Sequence, residues 1–321
     1  MRVLMILVAL AAVSVPASAS AFTLLDKEDL TLQLKGWGQG GYAVLIPDTG
    51  DTARGAYVGM GRVSLGAQKK DVGRFFLQLE GASGDAKLLD LVAQIDGLPL
   101  VHIRAGKFKA PTSLEYLIAG PSHPFVNRAL LVGLVPTRHV GAELVTHSGS
   151  GVEGQVGLFR PAGANGPDAG RELLVGRVVS TAVDGLTLHA SFTEVLGDEP
   201  GAMEPPDGIV HTRIIDVAVA YADEHLFAHA EVAAVVDSAL EENPLGVTAW
   251  VGYNFGGAIP PEVVVGYDLV QAGDVRDQRA RAGLNLYFWG ERLVHTWNYE
   301  LILNDGADAA HAIYGQLQAG F

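Results

Sequence analysis

The connections between strand-like segments constrain this chain more than any single motif. Sixteen segments with period-2 patterning can be marked after residue 21, from Leu30–Leu45 and Ala56–Gln68 to Arg292–Asn304 and Ala310–Phe321. After even-numbered segments the connections are short: Gly97-Leu98-Pro99, Ser148-Gly149-Ser150-Gly151, Asp184-Gly185, Glu224-His225 and Gly290-Glu291. After odd-numbered segments they are mostly longer and polar, as in Ile46–Gly55, Pro161–Gly170 and Gly197–His211; Ser83-Gly84-Asp85 is a short exception. Tight turns at one end and long loops at the other are what a transmembrane antiparallel β-barrel requires. A soluble sandwich has no reason to segregate its loops. The expected fold is therefore all-β, a transmembrane barrel of 16 strands, with 14–18 tolerated by the segment boundaries.

The two faces alternate as such a barrel needs. In Asp277–Trp289, the residues Ala280, Ala282, Leu284, Leu286 and Phe288 share one face, and Arg279, Arg281, Asn285 and Tyr287 the other. One face suits lipid and the other water. In hydrocarbon every backbone N–H and C=O must be paired internally, and closed sheets achieve this. Mean hydropathy is +0.24 with 18% charged residues. Yet no apolar run after residue 21 reaches the ~18–20 residues of a membrane helix.

The N-terminus reads as an export signal. Arg2 precedes an apolar run from Val3 to Val15, Pro16 breaks it, and Ala17-Ser18-Ala19-Ser20-Ala21 offers small-residue cleavage sites. The expected division is a leader over 1–21 and a barrel over 22–321, bound for the outer membrane. The chain has no cysteine, so burial and backbone pairing must hold it. A net charge of −14 argues against nucleic acid as a partner.

One connection stands apart. Leu100–Val140 begins as a strand, passes through Gly106-Lys107-Phe108-Lys109-Ala110-Pro111-Thr112-Ser113-Leu114-Glu115, and returns to a strand near His139. It carries Leu130-Leu131-Val132-Gly133-Leu134-Val135, too apolar for a solvated loop. Folding it into the lumen, as a constriction loop, gives that surface a wall to pack on. Thr112-Ser113-Leu114-Glu115 reads as a capping box with a short helix from Ser113.

The run Arg104-Ala105-Gly106-Lys107-Phe108-Lys109-Ala110-Pro111-Thr112-Ser113-Leu114-Glu115 resembles the signature of the phosphate-selective porin O and P family. There an arginine-bearing strand leads through Gly-x-Phe-Lys-x-Pro into Ser-Leu-Glu. Pro136-Thr137-Arg138-His139-Val140-Gly141 is similar to that family's return strand. The resemblance covers about forty residues. It implies a sixteen-stranded trimeric bacterial outer-membrane porin whose third long loop enters the lumen. The implied function is passive diffusion of ions and small hydrophilic solutes, anions such as phosphate among them, with no cofactor and no enzymatic turnover. Anion-selective members line the pore with many basic residues, whereas this acidic chain has 22 Lys and Arg in all. The terminal aromatic Phe321 resembles the signal read by barrel-insertion machinery.

Strand parity places Lys35, Arg62, Arg104, Arg279 and Arg281 inward, with Arg128 and Arg138 on the long connection. Acids facing inward include Glu143, Glu153, Asp216, Glu231 and Asp268. The expectation is a transverse field: the arginines on one arc face acids of the opposite arc and Glu115, setting selectivity at the constriction. Lys107 and Lys109 share lipid-facing parity, which leaves two readings: they lie past the membrane edge, or a bulge at Gly106 redirects them. Gly36, Gly38, Gly40, Gly59 and Gly61 share an outward face on the first two segments, which predicts close approach of a neighbouring barrel in a homotrimer. A closed or plugged structural barrel is the alternative function. An outer-membrane enzyme finds less support, because Ser and His occur in no catalytic spacing. His225, His229 and Glu231 are spaced too widely along a strand to share one metal ion.

Overall fold

The computed structural model describes residues 21–82, 84–146, 151–160, 172–196, 213–236 and 242–321. The expected leader, apart from Ala21, lies outside these residues, as do the Pro161–Gly170 and Gly197–His211 connections. Strands occupy β1 (Phe22–Lys27), β2 (Leu30–Pro47), β3 (Ala53–Lys69), β4 (Gly73–Glu80), β5 (Lys87–Ile95) and β6 (Val101–Lys109). They continue with β7 (Arg138–Thr146), β8 (Val152–Arg160), β9 (Glu172–Val183), β10 (Leu186–Leu196), β11 (Arg213–Ala222) and β12 (Leu226–Val235). The set ends with β13 (Leu245–Asn254), β14 (Pro261–Ala272), β15 (Val275–Tyr287), β16 (Leu293–Asn304) and β17 (Ala310–Gly320).

Each strand from β2 to β16 pairs antiparallel with the next, and β17 returns to β2, from Ala310 opposite Pro47 to Gly320 opposite Trp37. The sheet is a closed antiparallel barrel of sixteen strand positions. Closure leaves no edge with unpaired backbone groups. The additional β1 pairs with Leu30–Leu34 of β2, on the side that β17 occupies further along. It thus continues the line of β17 and lengthens the seam. At the junction the Gly36 and Phe321 backbones exchange hydrogen bonds of 3.0 and 2.8 Å.

That junction gives Gly36 a specific reason to be glycine. A Cβ there would lie 2.5 Å from the Phe321 ring, so the position seats the terminal aromatic. Gly59 also departs from its expected place. On β3, Met60 faces Gln39 and Val58 faces Gly40, which leaves Gly59 as the extra residue of a bulge. It does not belong to the outward row with Gly61.

The alternation holds in three dimensions. On β11, Ile215, Val217 and Val219 are 44, 54 and 41% exposed, whereas Ile214, Asp216 and Ala218 are 2, 1 and 4% exposed. The outside of the barrel is apolar and the inside polar, with two apolar clusters. One joins Phe108, Phe159, Leu173 and Val175 on the inner wall. The other joins Ala129, Leu131 and Val135 of the long connection to Ile214, Ala233 and Val235. The apolar run of that connection is therefore buried against the inner wall of β11 and β12, not over the outer rim.

Candidate functional site: the inward loop and the charged belt

The loop between β6 and β7 is closed at its base by its own legs. Ala110 N–H donates to Thr137 O at 2.8 Å, and the Thr112 hydroxyl donates to Pro136 O at 3.0 Å. Because Thr112 is used there, Ser113 caps the short helix α1 (Leu114–Leu117), accepting from Tyr116 N–H at 3.0 Å. The expected box is corrected in both halves: the cap is Ser113 in place of Thr112, and the helix starts one residue later, at Leu114. The Glu115 side chain does not turn back to the cap; it points into the loop's own centre.

Glu115 is fully buried. Its carboxylate meets His123 Nε2 at 2.7 Å, accepts Ala129 N–H at 3.1 Å and accepts Trp250 Nε1–H at 3.3 Å. Burial pushes the Glu115 carboxyl up, but His123, with His229 and Arg281 behind it, outweighs burial and holds it well below the usual carboxylate range. The backbone N–H of Glu115 donates to Glu231 of β12 at 2.7 Å, and the Ser113 hydroxyl donates to the same carboxylate. Arg128 ties the legs together by donating to the carbonyls of Glu115 and Ile118. Without these partners a carboxylate and a guanidinium this deep would each cost several kcal/mol.

From this knot the loop reaches around the wall. Gln318 of β17 donates to Pro121 O at 3.2 Å. On the return leg, Asn285 donates to Pro124 O at 3.0 Å and Arg281 to Asn127 O at 3.1 Å. The Phe125 ring lies under the Arg281 guanidinium, 4.1 Å from ring centre to Cζ. Asn127 donates to Glu300 at 3.1 Å, and Arg279 donates to Arg128 O.

The wall itself carries a belt of polar residues that follows the strand register. Arg104 lies opposite Glu143; Gln155, Arg177, Ser191 and Asp216 are successive partners from β8 to β11. Glu231, Thr248, Asp268 and Arg279 continue from β12 to β15, and Arg281 faces Glu300 on β16. This register overturns the expected transverse field. The arginines do not face acids across the lumen; each pairs with a carboxylate one strand away. Arg62 meets Glu80 at 2.6 Å, Arg104 meets Glu143 at 2.8 Å, and Arg281 meets Asp268 at 2.7 Å. Arg279 is shared between Asp268 at 3.0 Å and Glu300 at 3.5 Å. Adjacent inward side chains lie ~4.5–5.5 Å apart at Cβ, so neighbours neutralise one another before any opposite arc is felt.

The singled-out residues thus fall into groups. Glu115, Arg128, Arg279 and Arg281 meet at the loop. Arg138 stands at the loop's base, gripping Asp90 through two bonds of 3.0 and 3.2 Å and reaching the Tyr116 hydroxyl at 3.3 Å. Arg62 and the Arg104–Glu143 pair line other parts of the wall. Lys35 is exposed on β2 and makes no ion pair among the described residues. The two lysines divide. Gly106 has φ +134°, and Lys107 stays outside, donating to Leu88 O at 2.9 Å. Lys109, at the strand end, turns inward and donates to loop carbonyls from Tyr116 to Ile118.

Sequence reasoning missed His123, Trp250, Asn127, Asn285 and Asn298, which accepts Val126 N–H, as partners of the loop. The inward parity of Asn285 and Asn298 was a usable signal, because neither is needed for the sheet. Among the described residues no group of three His, Asp or Glu is arranged to hold a metal ion.

Comparison with solved structures fits this geometry. An anion-selective porin from Comamonas acidovorans superposes with a TM-score of 0.73, covering 91% of this chain and 100% of that one at 12% identity. The chain has the porin fold. The outer-membrane OmpT of Vibrio cholerae gives a TM-score of 0.61 at 11% identity, over 92% of this chain and 99% of the other. OmpF of Salmonella typhi gives 0.60 at 13%, over the same shares. No family model and no curated protein sequence matches the chain. The porin likeness therefore lies in architecture, and no model supports the O and P signature.

Proposed function

We propose that this protein is a passive diffusion channel of the bacterial outer membrane, conducting ions and small hydrophilic solutes. The observation that carries the reading is the combination of a closed sheet, an apolar exterior and a charged inner belt narrowed by an inward loop. An apolar outer band matches lipid, and a belt of paired charges keeps water and solute along the wall. The pore-facing roles of Lys35, Arg62, Arg104, Glu115, Arg128, Arg138, Glu143, Arg279 and Arg281 belong to this proposal. So do a cleaved leader over 1–21, recognition of Phe321 by barrel-insertion machinery, and assembly as a homotrimer. The trimer form recorded for OmpT of Vibrio cholerae supports the last point by analogy.

Planar-bilayer recording tests the reading: purified protein gives discrete conductance steps in potassium chloride. A phosphate-specific role, as the O and P resemblance would imply, requires block of that current by low phosphate. The local pairing of the arginines favours a weakly selective channel instead. A second reading, a plugged barrel, draws on the fastening of the loop to β12, β15, β16 and β17. It requires that the same recording give no steps.

A further inference from the structure

Apart from Lys109 and Arg138 at its own base, the loop's hydrogen bonds to the wall described above run to the β12–β17 side of the belt. A different stretch, carried by β6 to β9, lies outside that set of contacts: Arg104, Glu143, Glu153, Gln155 and Arg177. Their exposures sort them. Side chains of Arg104 and Glu153 are 30 and 29% exposed, Arg177 is 12% exposed, and Glu143 is fully covered. Three charges are therefore accessible, in the order cation, anion, cation. Buried Glu143 balances Arg104 from behind at 2.8 Å.

These groups are not fully engaged with each other. Arg177 and Glu153 stand 3.8 Å apart, beyond a direct hydrogen bond, although Gln155 donates to Glu153 at 2.7 Å. Nε of Arg104, Nε of Arg177 and Oε1 of Gln155 have no hydrogen-bonding partner among the described residues. Those atoms are themselves covered, so local pairing is incomplete behind the wall, while the exposed parts of Arg104, Arg177 and Glu153 face the lumen. The stretch offers two guanidinium donors and an accessible carboxylate within one patch whose net charge is near zero. A simple anion gains the arginines but meets Glu153. A simple cation meets the reverse. A small molecule carrying both an ammonium and a carboxylate satisfies both.

We propose that this stretch is a binding subsite for small zwitterions of amino-acid type passing through the lumen. The inference rests on the channel reading and deepens it. Guanidinium groups of Arg104 and Arg177 take the carboxylate, and Glu153 takes the ammonium.

Osmotic swelling of liposomes carrying the purified barrel tests it, using alanine, the neutral isostere lactamide and the anion lactate. At low millimolar concentration alanine enters faster than lactamide by about three-fold or more, and its rate saturates. Glu153→Gln and Arg177→Gln each bring the alanine-to-lactamide ratio close to one. Glu153 is accessible and makes no tight ion pair, so its conservative variant keeps the barrel intact, checked by far-ultraviolet circular dichroism. A wild-type ratio of one overturns the subsite and leaves the channel standing. Lactate entering fastest, with no response to Glu153→Gln, overturns it in favour of a plain anion site. No swelling with any of the three overturns the channel reading, and the subsite with it.

Discussion

Glu115 shows how much one side chain can hold. It joins both legs of the loop and reaches the wall through Trp250. Its native carboxyl is held low, so the unfolded chain takes up the proton first as pH falls. The stabilisation is whole above the ordinary carboxylate pKa of about 4.3 and is lost only as pH drops through the depressed native value. The contribution of Glu115 to hydrogen-exchange protection over residues 113–129, taken relative to the intrinsic rate at each pH, should thus be unchanged between pH 7 and pH 5. Glu115→Gln should weaken protection of the loop by about 1–3 kcal/mol at both values, because His123 loses its charged partner. At the seam, Gly36→Val should lower stability by about 1–3 kcal/mol through collision with the Phe321 ring. Thermal unfolding of the single variants and of Gly36→Val with Phe321→Ala checks this, since the second change should recover part of the loss.

Among the elements, the strands and their order around the barrel were readable and their register was not. Period-2 alternation in stretches such as Ala280–Phe288 fixes which side chains face inward, because one face must be apolar. The expected Leu30–Leu45 and the observed β2 (Leu30–Pro47) differ by two residues. Inward arginines were likewise found by parity. Their pairing was not, because whether Arg281 meets Asp268 or a charge across the lumen depends on strand register and on a loop whose path no periodicity encodes. The Gly59 bulge and the added β1 escaped for a similar reason: each is a break in a period, visible only against its partner strand. The left-handed Gly106 within β6 carries its own test. A Cβ at Gly106 would lie 1.9 Å from Leu91 O, at φ +134°. Gly106→Ala should therefore cost at least about 1–3 kcal/mol and lower the yield of folded barrel in a refolding assay.

At the scale of the whole molecule the exterior is lopsided. Exposed aromatics stand on or beside β10 to β17 at Phe192, Tyr221, Tyr253, Phe255, Tyr267, Trp297 and Tyr299, with Phe288, Trp289 and Phe321 at strand ends. From β3 to β9, Phe75 is the exposed aromatic among the described residues. Strands β4 to β8 are also short, at 8 or 9 residues. Aromatic girdles mark barrel surface that meets lipid headgroups. The bare arc is where a second copy is expected to sit in the proposed homotrimer. It is broader than the glycine rows on β2 and β3. The chain's lack of cysteine makes the check clean. A nitroxide label on a single cysteine at Ala105 or Ala142, both outward on the bare arc, should lose mobility and lipid accessibility when copies assemble, whereas one at Val251 on the aromatic side should keep both.

The seam between β17 and β2 also dictates an order of events. Gln39 and Gln318, bonded at 2.6 Å, are 279 positions apart in sequence. The cylinder cannot shut until that distant partner arrives, so closure of the seam waits for both ends of the chain. Long-range pairings of this kind are slow to form. Through that wait, a chain with so many apolar outward side chains needs an escort in water, and the time before closure is when it is most exposed to proteolysis.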